Sequence, residues 1–234
     1  MIRISTLTFI CIVAFQLNAQ VLGTIKDPDG YTNVRTEPTI KSEIKGQFYS
    51  DEIFLIADFD YDTIPDWRFV GSGYTSEHQL RGWMHASRVQ DLDLMPEPVR
   101  PEISEDQKTI TFKNDTILFK VTFQEFDSTN HKIIYDERGY ITSIDGKYPQ
   151  GTDGYLPIEN IKNIIFNING KQVDFPKEAY FDLYNFRKNT WRFYRNRLTG
   201  TLMIRSDNSD GGAFYMVVWK FNNYQYKGRF LSSI

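Results

Sequence analysis

Short runs of apolar and aromatic residues, each broken by Gly, Asn, Asp or Pro, recur along most of the chain. In one of them, Ile117, Phe119, Val121 and Phe123 alternate with more polar neighbours, as expected for a strand with one buried face. The other predicted strands occupy residues 53–57, 164–168, 171–175, 191–197, 201–206, 213–221 and 224–231. This pattern predicts an all-β chain.

The breaks between these runs carry turn signals. Asn169-Gly170 separates two apolar runs and predicts a two-residue hairpin turn, because Asn and Gly accept the positive φ values that such a turn needs. Helical periodicity is nearly absent. One short helix is predicted after Pro176, since Tyr180, Leu183 and Tyr184 follow at helical spacing.

A proline-rich segment divides the chain. Residues 96–107 contain Pro96, Pro98 and Pro101, and proline-rich segments are extended and semi-rigid, so they predict a linker. The linker separates a smaller domain at residues 20–95 from a larger one at 108–234, predicted to be an antiparallel β-meander or sandwich. The alternative is a structured loop inside a single domain.

Residues 1–19 have the layout of a secretory signal peptide. Arg3 precedes the apolar run 9–15, and Ala19 stands at the predicted cleavage site before Gln20. The run is too short to span a bilayer, for which about 20 apolar residues are needed. We therefore expect an exported protein, periplasmic or extracellular, cleaved near Ala19/Gln20. A buried first strand and lipidation are the alternatives.

The amino-acid composition excludes several classes of function. The chain is 41% hydrophobic and 15% aromatic, enough for a packed core, and its net charge of −3 argues against a nucleic-acid binder. Its one cysteine, Cys11, lies within the predicted signal peptide. Thiol catalysis, disulfides and cysteine-ligated metals are therefore not expected in the mature chain.

Four motifs of the first domain fall in a recognisable order. An Asn-Val-Arg string with its flanks opens the series, then come an apolar strand, a tryptophan strand and a closing Gly-Trp-Met-His-Ala-Ser segment. These are residues 27–38, 51–57, 67–70 and 82–89. Together they resemble bacterial SH3 domains, over about a third of the chain. The resemblance implies a small SH3-like barrel.

In such a barrel, six apolar residues can point inward from successive strands: Val34, Ile53, Leu55, Phe69, Val70 and Trp83. Arg35 and His85 are interpreted as structural. SH3-like barrels hold extended ligands in grooves lined by aromatic residues. The candidate groove residues are Tyr31, Tyr49, Trp67 and Tyr74.

Two acidic loops raise the question of a metal. Residues 57–66 form a longer and more acidic connection than the family uses, which could cover one end of the groove. Its alternating aspartates lack the glycine and the final glutamate of a calcium loop. The loop at 207–212 is likewise interpreted as a tight turn. We predict no metal and no cofactor.

The second domain contains one basic stretch interleaved with aromatic residues. Between Asp182 and Asp207 there is no acidic residue. An anionic envelope partner could bind it; the alternative is a half-exposed strand with its aromatic residues inward and its arginines outward. The candidate partner surface consists of Arg187, Lys188, Arg192, Tyr194, Arg195 and Arg197.

Catalytic motifs are missing from the sequence. His78, His85 and His131 show no metal-ligand spacing, and there is no nucleophile elbow. We therefore expect a non-enzymatic binding protein whose SH3-like domain recognises an extended cell-envelope ligand, either wall peptide or a protein segment. The alternatives are a stoichiometric inhibitor or immunity-type protein acting on a partner enzyme, and a carboxylate-based hydrolase in the second domain.

Overall fold

The computed structural model describes residues 21–57, 64–73, 79–95 and 102–233, and it confirms the all-β prediction. Within these residues no helix reaches seven residues. The predicted signal peptide, the aspartates of the 58–63 loop, Tyr74, His78 and the proline-rich residues 96–101 lie outside the described residues. The helical turns are short 3-10 turns at Ala86–Arg88, Ser128–Asn130, Lys177–Ala179, Lys188–Thr190 and Gly211–Ala213.

The first unit, described between residues 21 and 95, is one antiparallel sheet of seven strands. They are β1 (Val21–Ile25), β2 (Tyr31–Arg35), β3 (Ile44–Tyr49), β4 (Phe54–Ile56), β5 (Trp67–Gly71), β6 (Arg81–His85) and β7 (Val89–Asp91). Their order across the sheet is β3-β2-β6-β5-β4-β1-β7. All seven strands contribute to one core: Ile25, Val34, Phe48, Phe54, Ile56, Val70, Met84 and Val89.

The sheet curls around this core without closing into the expected barrel. Phe48 on edge strand β3 and Val89 on edge strand β7 belong to the same cluster, so the two edges turn toward one interior. Among the described residues the two edges are not hydrogen-bonded to each other. Strand β7 is only three residues long, and such a short ladder offers little pairing for closure.

Only part of the predicted inward set faces this core. Val34 and Val70 are fully buried in it. Phe69 precedes Val70 on β5, and successive side chains of a strand point to opposite faces, so Phe69 faces outward. Trp83 pairs with Phe69 on β6 and shares that outer face, whereas Ile53 and Leu55 pack toward the second unit.

The second unit is a sandwich of antiparallel sheets with an added hairpin. Its strands are β8 (Glu102–Ile103), β9 (Thr109–Lys113), β10 (Ile117–Glu125), β11 (Ile133–Tyr135), β12 (Ile141–Ile144), β13 (Glu159–Ile168), β14 (Lys171–Gln172), β15 (Arg192–Arg195), β16 (Leu202–Asn208), β17 (Tyr215–Asn222) and β18 (Gln225–Ser233). One sheet has the order β14-β13-β10-β9-β8 and the other β15-β16-β17-β18, while β11 pairs with β12. Strand β8 falls inside residues 96–107, which the sequence assigns to the linker.

The sandwich core is rich in aromatic residues from both sheets. Phe119 on β10 meets Phe166 on β13 edge-on, with ring centroids 5.5 Å apart. Trp191 stacks on Trp219 of β17 at 5.2 Å. Stacked and edge-on pairs of this kind add stability beyond the area they bury.

The hairpin turn after β13 is confirmed, and the short helix predicted after Pro176 is a single 3-10 turn that does not extend to Tyr184. Asn169 and Gly170 have φ values of +49° and +73°. After Pro176 only the 3-10 turn at Lys177–Ala179 forms. The carbonyl of Ala179 accepts hydrogen bonds from the Trp219 indole (2.8 Å) and the Arg229 guanidinium (2.9 Å), so side chains occupy the carbonyl that a helix would use.

The four-stranded sheet of the second unit is buried on both faces. Ile204 and Trp219 face the sandwich core, while their neighbours Met203 and Val218 pack against the first unit. This second cluster is formed by Leu22, Ile53, Leu92, Tyr194, Met203, Met216 and Val218. Because these side chains come from both units, the first unit completes the burial of the second.

Candidate functional site

The outer face of β2, β6 and β5 carries a band of aromatic and basic side chains. Strand alternation places Tyr31 and Arg35 of β2 on this face. Trp67 pairs with His85, and their rings meet edge-on at 5.4 Å. Phe69 pairs with Trp83 in the next row at the same ring distance. The face of the first unit opposite its core therefore carries aromatic and basic side chains, of which Tyr31 is exposed and the others are half-buried or buried.

A cleft of about 400 Å³ opens at one end of this band. Tyr31 lines it and is 41% exposed, while Trp67 is 9% exposed and adds a nearly buried ring. Ile40, which is 72% exposed, lines it from the loop between β2 and β3. Arg35, His85 and Arg88 supply polar groups to the same cleft. Its volume lies within the range of small-ligand sites, roughly 300–1,000 Å³.

A buried carboxylate fixes the base of the cleft. Asp27 accepts hydrogen bonds from the Asp29 amide (3.1 Å), the Thr32 hydroxyl (3.1 Å) and the Arg88 guanidinium (2.8 Å). The Arg88 side chain remains 44% exposed while its guanidinium is paired with Asp27. A charge held this way is pre-positioned for a ligand carboxylate, because little side-chain entropy is lost on binding.

Two further contacts set the cleft walls. Arg35 donates to the Ser42 carbonyl at 2.7 Å and thereby ties the 36–43 loop to β2. The Nδ1 atom of His85 lies 2.7 Å from the Ser87 hydroxyl and also accepts the Ser87 amide, which caps the 3-10 turn at Ala86–Arg88. Both residues therefore have the structural contacts expected of them, and both also line the cleft.

The four predicted groove residues do not share one site. Tyr31 and Trp67 lie in the cleft. Tyr49, 55% exposed, pairs with Tyr31 across β2 and β3 at a ring distance of 6.4 Å. It lines a second cleft, of about 470 Å³, which the two units share. Tyr74 lies outside the described residues.

The basic stretch of the second unit does not form one continuous surface. Its aromatic residues Phe186, Trp191 and Phe193 belong to the sandwich core. Tyr194, assigned to the partner surface, is buried between the units, and its hydroxyl donates to Asp93 at 3.2 Å.

The basic residues of this stretch have separate environments. Lys188 pairs with Glu159, and Arg192 donates to the Thr190 carbonyl. Arg187, Arg195 and Arg197 are exposed.

Other candidate chemistry is engaged within the fold. In the 207–212 loop, Asp207 accepts from Arg205 at 2.8 Å and Asn208 accepts from the Arg187 amide at 3.1 Å. His131 lies 2.6 Å from an Asp145 oxygen. Across the four described ranges, no three His, Cys, Asp or Glu side chains form a group that could hold a metal ion.

Comparison with known proteins gives no assignment: no protein-family model matches the chain, and no curated protein is similar to it. The resemblance to bacterial SH3 domains rests on the sequence motifs alone. Among the described residues there is no helix long and apolar enough to cross a membrane.

Proposed function

We propose that the protein is an exported, non-enzymatic binding protein that holds an extended peptide segment of the cell envelope in the cleft of the first unit. One observation carries the proposal. The cleft combines exposed apolar and aromatic side chains, Tyr31 and Ile40, with the fixed, partly exposed Arg88 side chain. Export rests on the signal-peptide pattern of residues 1–19.

The cleft lining indicates the kind of peptide. A side chain with apolar surface would pack against Tyr31 and Trp67, and a carboxylate would pair with Arg88. Both wall peptide and an acidic protein segment offer this combination. The outer band that continues through Phe69 and Trp83 lengthens the contact beyond the cleft, as an extended ligand requires.

The test uses the whole chain from Gln20. A fragment ending at Met95 would expose Leu22, Ile53 and Leu92, which the second unit covers. The protein is sedimented with purified wall sacculi, and its affinity for soluble peptides with one acidic and one apolar residue is measured by fluorescence anisotropy. The first arm reports wall peptide and the second reports a protein segment.

Exposed residues provide variants that leave the fold intact. Tyr31→Ser and Ile40→Ser remove apolar surface from the cleft, whereas Tyr148→Ser removes an exposed ring from the second unit. We expect binding in at least one arm, weakened by the two cleft variants and unchanged by the control. Absence of binding in both arms, or equal loss in all three variants, would overturn the proposal.

A further inference from the structure

A third cleft, of about 290 Å³, lies where the tips of two hairpins meet at one end of the sandwich. One hairpin joins β13 to β14 and the other joins β17 to β18. Asn169 comes from the first tip, and Asn223 and Tyr224 come from the second. This site is separate from the cleft of the first unit, and no inference about it depends on the function proposed there.

The two tips have the same backbone geometry but different sequences. In each, two residues with positive φ connect the paired strands: Asn169 and Gly170 at +49° and +73°, Asn223 and Tyr224 at +49° and +62°. Glycine adopts this geometry without strain, whereas a bulky residue does so only when its surroundings impose it. Such strain often accompanies functional sites.

The strained turn fixes one aromatic ring beside the cleft. The Tyr224 hydroxyl accepts a hydrogen bond from the Asn169 amide at 3.2 Å. The Lys171 ammonium lies 5.5 Å from the centre of the ring, and Tyr224 is still 40% exposed. The ring is therefore held in one orientation with part of its surface open to a ligand.

The polar lining consists of amides, hydroxyls and one guanidinium. Thr116, Thr199 and Asn222 line the cleft, but their side chains are hydrogen-bonded within the fold. The exposed amide of Asn223 and the hydroxyl of Tyr224 are therefore the groups that face a ligand, and none of the lining residues carries a carboxylate. Arg195 is exposed, and its side chain makes no hydrogen bond to any described residue. Amides and hydroxyls bind the hydroxyl groups of a sugar, an aromatic ring packs on its C–H face, and a guanidinium pairs with a carboxylate in a bidentate manner.

We propose that this cleft binds a sugar unit that carries a carboxylate, with Tyr224 against the ring of the sugar and Arg195 on its carboxylate. The cleft volume is at the lower end of known ligand sites, which fits one sugar unit. Lys171 beside Tyr224 adds a second positive charge near the ligand.

The experiment titrates the whole chain with glucuronate, glucose and acetate and measures each affinity by nuclear magnetic resonance. Arg195→Gln removes the proposed carboxylate partner, and Arg197→Gln is its matched control, an exposed arginine two residues away that does not line the cleft. Tyr224→Gly removes the ring while giving the turn its preferred residue.

We expect saturable binding of glucuronate, with glucose and acetate each about tenfold weaker or more, because each lacks one half of the recognised chemistry. Arg195→Gln reduces the affinity for glucuronate to that for glucose. Tyr224→Gly weakens the binding of both sugars, and Arg197→Gln changes the affinity for neither. The proposal is overturned if glucuronate does not saturate, if acetate or glucose binds equally well, or if Arg195→Gln binds like the unmodified protein.

Discussion

Asp51 provides the sharpest test of how the two units are joined. It lies between β3 and β4 of the first unit, yet its carboxylate accepts hydrogen bonds from three side chains of the second unit: Thr199, Thr201 (2.7 Å) and Asn196 (3.2 Å). The Lys220 ammonium also donates to the Asp51 carbonyl at 2.9 Å. Replacing Asp51 by alanine removes the carboxylate and leaves the three donors behind.

The expected cost follows from those contacts. A hydrogen bond to a charged group contributes roughly 1.5–3 kcal/mol, but Thr199 and Thr201 remain bonded to each other at 3.0 Å and recover part of the loss. Asp51 also has a φ of +71°, which costs alanine about 1 kcal/mol. We expect Asp51→Ala to lower the free energy of unfolding by about 3 kcal/mol. Asp51→Gly, which accepts this φ, should lose about 2 kcal/mol.

Urea unfolding followed by tryptophan fluorescence measures the change. Asp153→Ala is the matched control, because Asp153 is an exposed aspartate with a φ of +46° and its loss breaks no hydrogen bond between the units. It should cost only the backbone strain, about 1 kcal/mol. If Asp51→Ala and Asp153→Ala lose the same free energy, the carboxylate does not hold the two units together.

Three further predictions concern the interface and the sheet of the first unit. Burial raises the pKa of Tyr194 to about 12, so its stabilising contribution is complete below the ordinary tyrosine pKa of about 10 and is lost as the pH rises toward 12. As the pH rises from about 10 to 12, the free energy of unfolding should therefore fall less in Tyr194→Phe than in the unmodified protein. Urea unfolding at each pH measures this, and the same pH dependence of stability in both proteins would contradict it. Arg205→Met should lower the free energy of unfolding by about 2 kcal/mol, because it leaves Asp93 and Asp207 without their buried cation. If the same substitution costs just as much in a protein that already carries Asp93→Asn and Asp207→Asn, that reason is refuted. Gly82→Ala should lower the free energy of unfolding by about 2 kcal/mol or more, since its new carbon would lie 2.3 Å from the Arg35 carbonyl oxygen. In the control Gly139→Ala the new carbon meets no atom within 4 Å, so this variant should lose only the strain energy of its positive φ. Equal decreases in melting temperature for the two variants would argue against the clash.

Local patterns were predictable from the sequence, while contacts between distant segments were not. The alternation around Phe119 and Val121 identifies β10, and Asn169-Gly170 identifies a turn, because each signal depends only on neighbouring residues. The burial of Arg205 depends on Asp93, 112 residues earlier in the chain. A basic residue on an alternating strand is expected to face solvent, and nothing in the neighbouring sequence shows that the first unit covers that face.

The candidate site likewise combines residues that local sequence patterns indicate with residues that only the fold brings together. Of the candidate groove residues, Tyr31 and Trp67 line one cleft, whereas Tyr49 lines a different cleft because β3 carries it to the edge of the sheet. Arg88 is held at the cleft by its ion pair with Asp27, 61 residues away in the chain, and no local sequence pattern indicates that pair. The alternation of side chains along β2 could have indicated Arg35 as a cleft residue, since Arg35 lies on the same face of the strand as Tyr31.

Hydrogen exchange of the whole chain, measured with and without soluble wall peptides and acidic apolar peptides, tests the proposed binding function most directly. We predict that the peptide that binds will slow exchange in residues 27–40 and 85–88, which supply most of the cleft lining. Protection confined to residues 187–197 would indicate a partner surface on the second unit instead. That result, or no protection with either kind of peptide, would contradict the assignment of the cleft as the binding site.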